Sequence, residues 1–181
     1  YGIELTLQHQ SERFIFTAGG TAGIAETFAA STGYGPTEND QTVLGELFTT
    51  PNAATLSHGR SFTDRAFTGK IAFVSRLPRQ ISLGLIARYQ DGQPFSRVLV
   101  FPGLNQGAEP VRAFPSGDSR FLFVGTLDGR LKKRVPMNGR TLEVFLDAYN
   151  VLNMHNSIEE DAAALPDVRT TIAIQPPRSV H

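Results

Sequence analysis

Thr126–Asn153, TLDGRLKKRVPMNGRTLEVFLDAYNVLN, reads as two extended arms around a turn. In the first arm Leu127, Gly129, Leu131 and Val135 fall on one face, and Thr126, Asp128, Arg130, Lys132 and Arg134 on the other, with Lys133 the one polar side chain on the apolar side. In the second arm Leu142, Val144, Leu146 and Ala148 share a face, opposite Glu143, Phe145, Asp147 and Tyr149. A period of two in both arms is the pattern of strands that are apolar on one side only. Between the arms Pro136-Met137-Asn138-Gly139-Arg140 reads as a five-residue turn, in which the proline stops the first ladder and the Asn-Gly pair accepts positive φ. Each arm is about ten residues long, whereas strands of globular proteins are mostly about 5–6 and a tilted strand that crosses a bilayer needs about 9–11.

The pattern continues in both directions. Upstream, Ile3, Leu5 and Leu7 alternate with Glu4, Thr6 and Gln8, and after Ser11-Glu12-Arg13 the run Phe14–Gly23 places Phe14, Phe16 and Ala18 opposite Ile15, Thr17 and Gly19. Arg65–Leu77 sets Phe67, Gly69, Ile71 and Phe73 against Thr68, Lys70, Ala72 and Arg76. A Pro78-Arg79 turn leads to Gln80–Gln90, where Ile81, Leu83, Leu85, Ala87 and Tyr89 form an apolar stripe opposite Ser82, Gly84, Ile86, Arg88 and Gln90. Phe95–Phe101 is a short β-like run, and Val168–Gln175 reads as a last strand before Pro176–His181. The segments between these hairpins, Ile24–Asp64, Pro102–Arg120 and Met154–Arg169, are irregular, with one or two helical turns expected at Ser157–Asp161 and the following alanines. Connections therefore alternate short and long, as in outer-membrane barrels with short periplasmic turns and longer extracellular loops.

The fold class expected is all-β: an antiparallel transmembrane β-barrel segment, a meander of long hairpins with turns on one side and loops on the other, forming part of a barrel. Leu83, Leu85, Leu127, Leu131, Val144 and Leu146 should share its outer, lipid-facing side. Lys70, Arg88, Asp128, Arg130, Lys132, Glu143 and Asp147 are the lumen-facing candidates, since an arginine such as Arg88 is costly against lipid and comfortable in a wet lumen. Cross-strand ion pairs of Arg130 or Lys132 with Glu143 or Asp147 follow from a simple hairpin register. Asp147, Asn150 and Asn153 read as groups that cap the ladder and turn the following loop.

Composition limits the alternatives. The chain has 181 residues, a formal net charge of zero and no cysteine or tryptophan, so no electrostatic case exists for a nucleic-acid partner and neither disulfides nor thiolate metal sites can form. No apolar run approaches the roughly 20 residues of a spanning helix. Tyr1-Gly2-Ile3-Glu4 is no signal peptide and starts in mid-strand, as a fragment would. His9, His58, His155 and His181 lack close-spaced partners, so no metal site is expected. His58, Ser61 and Asp64 lack the GxSxG elbow of a hydrolase, and Gly19–Gly23 lacks the GKS/T ending of a phosphate loop. Neither a catalytic residue nor a cofactor is expected, and the basic run Arg130–Arg134 is read as lumen wall near the periplasmic rim.

Five segments carry a family resemblance: YQDGQPFSRVLV (Tyr89–Val100), LNQGAEP (Leu104–Pro110), TLDGRLKKRV (Thr126–Val135), LEVFLDAYNVLN (Leu142–Asn153) and QPPRSVH (Gln175–His181). Together, in this order, they resemble the C-terminal barrel region of TonB-dependent outer-membrane receptors, particularly the group with a carboxypeptidase-regulatory-like N-terminal domain. The resemblance spans roughly Glu46–His181 and is strongest from Ala87 onward. It implies a barrel of about 22 strands around an N-terminal plug, energised through the TonB system. On that resemblance residues 1–181 are a C-terminal portion of such a barrel, contributing about six to eight strands, with plug and final strand absent. The implied location is the cell outer membrane, and the implied partners are outer-membrane lipid, the plug and remaining strands, the TonB system and an unknown ligand. The implied activity is uptake of a scarce ligand, with specificity in the loops Ile24–Asp64, Pro102–Phe121 and Met154–Asp167. Two other readings stand beside it: a barrel that binds, adheres or scaffolds without active transport, and a soluble β-rich ligand-binding protein.

Overall fold

A computed structural model describes residues 1–28, 55–61, 63–115, 117–160 and 170–181. Among them the chain is all-β and antiparallel, with no helix. In chain order the strands are β1 Gly2–Gln10, β2 Phe14–Gly23, β3 Glu26–Phe28, β4 His58–Arg60, β5 Phe67–Leu77, β6 Ile81–Gln90, β7 Pro94–Phe95, β8 Val98–Phe101, β9 Glu109–Arg112, β10 Ser119–Arg120, β11 Val124–Met137, β12 Arg140–Tyr149, β13 Ser157–Glu160, β14 Thr171–Ile174 and β15 Ser179–Val180. Seven form one sheet in the order β1-β2-β5-β6-β11-β12-β15, and the others make two-stranded ribbons in the long connections: β3-β4, β7-β10, β8-β9 and β13-β14.

The ladder is continuous from β1 to β12, and its register fixes every facing. Leu131 stands opposite Leu83 on one side and Leu146 on the other; Leu83 faces Ser75, and Ser75 faces Phe14. Directly opposed residues project to the same side. One face therefore carries Ile3, Leu5 and Leu7, then Phe14, Phe16 and Ala18, then Phe67, Ile71 and Phe73. Its remaining rows are Ile81, Leu83, Leu85 and Ala87, then Leu127, Leu131 and Val135, and last Leu142, Val144 and Leu146. Its polar members, His9, Ser75, Lys133 and Arg140, all lie toward the end where the short turns are. The reverse face carries Glu4, Thr6, Thr17, Thr21, Thr68, Lys70, Arg88, Asp128, Arg130, Lys132, Glu143 and Asp147, with Ile15, Val74, Ile86 and Phe145 among its larger apolar members.

The six outer-face leucine and valine positions expected from the alternation do share one side. Among the described residues no second layer covers them. Leu131, Val144 and Leu146 are 45%, 53% and 52% exposed, and Leu5 on the edge strand is 74% exposed. Among the described residues the buried hydrophobic side chains are Phe95 and Phe121, and both belong to the connection between β6 and β11.

Three details of the sequence reading change. The turn between the long arms is two residues, not five: Asn138 and Gly139 have φ of 43° and 78°, and Pro136 and Met137 stay in the ladder opposite Thr141 and Arg140. Pro136 is tolerated because Arg134, two residues earlier, aims its N–H at Gln80 O (3.1 Å), so the proline's missing donor points past the end of β6. Ser157–Glu160 is a strand rather than a helical turn, because it pairs with Thr171–Ile174; Asp161 and the alanines lie outside the described residues. The pairing also corrects the last strand. Val168–Gln175 supplies β14 to that ribbon, with Val168 and Arg169 outside the described residues, while the segment after Pro177 joins the large sheet as β15. Asp147 and His181 exchange both backbone hydrogen bonds at 2.9 Å and extend this pairing by one residue.

Candidate functional site

The turns at 11–13, 78–80 and 138–139 lie at one end of the sheet, and the strand ends from which the connections 24–66, 91–123 and 150–178 leave and to which they return lie at the other. All seven lumen-facing candidates fall on the polar face, and the structure pairs most of them. Arg130 stands directly opposite Asp147 and binds it with two parallel bonds, Nε to Oδ1 at 2.6 Å and Nη2 to Oδ2 at 2.8 Å. This fork geometry suits a guanidinium against a carboxylate. Arg134 and Lys132 share Glu143, each at 2.6 Å and each on its own carboxylate oxygen. Arg88 reaches diagonally to Asp128, whose other oxygen accepts the Asn150 backbone N–H at 2.9 Å. Of the expected pairs, Arg130 with Asp147 and Lys132 with Glu143 form. Arg134, absent from the sequence-derived set, completes the Glu143 pair, and its place opposite Glu143 follows from the two-residue turn that the structure shows.

Lys70 is the exception. It lies directly opposite Arg88, a like charge, and beside Gly19, and it forms no salt bridge with a described carboxylate. The polar face thus has two halves: a neutralised ladder across β11 and β12, and a more mixed stretch over β1, β2 and β5, where threonines, glycines and Gln8 stand among Glu4, Ile15, Val74 and Arg76 and Lys70 has no salt bridge to a described carboxylate. Thr21 and Thr68 bridge that second half by a hydroxyl–hydroxyl bond of 2.6 Å.

At the loop end Asn150 is a hub. Its side-chain amide donates to Met154 O and Pro176 O, both at 2.8 Å, and its side-chain oxygen accepts from Met154 N at 3.0 Å. Asn150 and Asn153 adopt φ of 48° and 51°, a region asparagine tolerates better than other side-chain-bearing residues. The capping role read for these two asparagines holds, whereas Asp147 serves Arg130 and the β15 backbone instead. Buried Gln175 adds a bond from Nε2 to Gly125 O at 2.8 Å, which ties β14's end to β11.

A second hub gathers the longer connections. Asp64, 3% exposed, accepts the Ala25 N–H at 2.7 Å and pairs with Arg120, while Arg60 lies 3.6 Å away. Arg120 also donates to Gly92 O at 3.0 Å. Beside it Phe95 and Phe121 stack, with centroids 4.5 Å apart and planes 11° from parallel. Gly92 permits that packing, since a Cβ there would lie 1.8 Å from Phe121 O. Asp64 is therefore committed to arginines and a backbone amide, and Ser61 Oγ lies 3.0 Å from Thr63 Oγ1. Asp64 and Arg120 are 56 residues apart, and no local pattern marks them as partners. The histidines are dispersed: His9 lies tilted against Phe14 with ring centroids 5.4 Å apart, His58 lies in β4, His155 approaches Asn153 O, and His181 packs edge-on to Tyr149.

No protein-family model, no curated protein and no solved structure matches the chain.

Proposed function

We propose that this chain forms part of the wall of an outer-membrane β-barrel, the C-terminal portion of a TonB-dependent receptor that takes up a scarce ligand. One observation carries the membrane reading: a single-layer sheet whose long strands expose a nearly continuous apolar face on one side and an ion-paired polar face on the other. In water such a face would far exceed the apolar patch of an ordinary monomer. Against lipid it is the expected surface, since barrel strands alternate apolar-out and polar-in. The rows from Ile81 to Tyr89 span about 26 Å along the strand at about 3.3 Å per residue, which a tilt of about 40° reduces to about 20 Å, most of the roughly 25 Å apolar band of outer-membrane barrels.

The ends agree with this reading. Tight turns at one end and ribbon-bearing connections at the other are the division between periplasmic and extracellular sides. Within the sheet β1 has a neighbour on one side only, and β12 is covered by β15 only near Ala148 and Tyr149. Edges of this length are a liability in water and are joined to further strands in a closed barrel. The receptor reading, with its plug, TonB system and ligand, rests on the five sequence segments, and ligand choice is assigned to the connections held by Asp64 and Asn150.

The absence of native cysteine makes the test direct. Single cysteines at Leu83, Leu131 or Leu146 should resist a water-soluble maleimide and react with a bilayer-soluble one when the chain is folded into vesicles. Cysteines at Lys70 or Thr68 should show the reverse. Equal aqueous labelling of both sets would reject the membrane reading. For the transport step, ligand uptake by the receptor in cells should vanish when the TonB protein is inactivated; uptake that persists would leave a passive barrel.

A further inference from the structure

We propose that the turn end of the sheet is a docking surface for the headgroups of anionic phospholipids, with the adjoining apolar face taking their acyl chains. The inference rests on the membrane reading above and adds a lipid preference to it.

The charges of the chain cancel overall, yet they are not evenly spread. The three hairpin ends collect Arg13, Arg76, Arg79, Arg140 and the run Lys132–Arg134, against only Glu12 and Glu143. The rest of the chain is correspondingly acidic. Position decides which of these cations are available. Lys132 and Arg134, on the polar face, share Glu143. Lys133 and Arg140 lie on the apolar face, opposite Val144 and Met137, and Arg13 and Arg79 lie in the turns. None of these four forms a salt bridge with a described carboxylate.

Two further features place charge at the boundary of the apolar band. The Lys133 ammonium donates to the Arg79 carbonyl in the neighbouring turn, so its stem runs along apolar surface while its charge is drawn out to the end of the sheet. Arg79 itself has φ of 61°, and Gln80 59°. Positive φ is easily met by glycine or asparagine, as Asn138-Gly139 does in the next hairpin, and is unfavourable for arginine. The turn thus holds an arginine where the backbone disfavours one. Leu77 opposite Ile81 closes the apolar rows just inside Arg79, and Val135 opposite Leu142 just inside Arg140; Lys133 is rooted one rank deeper and brings its ammonium to the rim at the Arg79 carbonyl. A phosphodiester bearing one negative charge meets cations at the rim while its chains meet leucines below.

The test uses the whole 181-residue chain and flotation with two kinds of vesicle, pure phosphatidylcholine and equal parts phosphatidylcholine and phosphatidylglycerol. Each cation near an anionic surface contributes about fivefold, so association with the phosphatidylglycerol vesicles should be at least about tenfold tighter, and high salt should erase the gap. Lys133→Gln with Arg140→Gln should remove most of that advantage while leaving association with phosphatidylcholine unchanged. Arg178→Gln, an exposed cation at the opposite end, should leave it intact. If circular dichroism shows the double variant unfolded, Arg13→Gln with Arg79→Gln gives the same readout from the turns. Equal association with both vesicles, or an advantage that survives the turn-end variants or falls equally with Arg178→Gln, overturns the lipid preference and leaves the membrane reading standing. Association with neither vesicle overturns both.

Discussion

The large sheet and the connections beyond its loop end invert the usual division between strands and loops. Strands commonly carry a core and loops lie outside it. Here Leu5, Ile71, Val144 and Leu146 stand exposed on strands of nine to eleven residues, while buried Phe95, Phe121, Asp64, Ser96 and Arg112 belong to the connections or their short ribbons. The difference teaches that the connections bury their own groups while the sheet does not, as expected if the two regions meet the different surroundings proposed above. The loop knot buries its own apolar and charged groups, as a structure in water must. The sheet satisfies its backbone hydrogen bonds laterally and leaves one apolar face exposed, which is what the proposed contact with lipid requires.

Five substitutions break or sharpen this contrast. Phe95→Ala removes half of the buried stack and should destabilise the knot by about 3–5 kcal/mol. Hydrogen exchange should show faster amides in the 91–123 connection and unchanged protection in β5 and β6; uniform loss would mean that sheet and knot form one core. Ile71→Arg, midway along β5 on the apolar face, should cost about 2–4 kcal/mol in a bilayer. Its neighbour Ala72→Arg, on the polar face, should stay within about 0.5 kcal/mol. Urea unfolding of vesicle-embedded chain measures both, and equal effects would erase the distinction between the faces.

Asn150→Ala strips the side-chain bonds to Met154 and Pro176 and leaves alanine at positive φ, for an expected loss of about 1–3 kcal/mol. Loss of protection at β15 with β11 unaffected would place the damage at the loop end. The smallest effect has the opposite sign. Arg79→Gly relieves an unfavourable φ and should stabilise the hairpin by about 1 kcal/mol, read as a shift of the urea midpoint. The same variant should weaken the preference for phosphatidylglycerol, so stability and lipid selectivity would move in opposite directions.

Alternation alone located six of the seven strands of the large sheet and both of its faces, because successive side chains on an extended backbone must point to opposite sides. Asn138-Gly139 was legible as a turn for an equally local reason, since both positions take positive φ without strain. Its true length was not. Pro136 reads as a stop signal until β6 is seen to end beside it, which leaves no acceptor waiting for the absent N–H.

The tertiary structure alone decided the choice of partners. Arg130 might have served Glu143 as well as Asp147 by composition, and the register chose Asp147 by placing it directly opposite. The apolar run Thr171–Ile174 has a better strand pattern than Ser179–Val180, yet the first pairs with β13 and the second reaches β12. Asp64 with Arg120, and Phe95 with Phe121, meet only after long segments close on themselves. Facing and turn chemistry were written in the sequence because they depend on one or two neighbouring residues. Pairing across loops was not, because it depends on where the chain returns, a matter of loop closure and packing rather than of local backbone geometry.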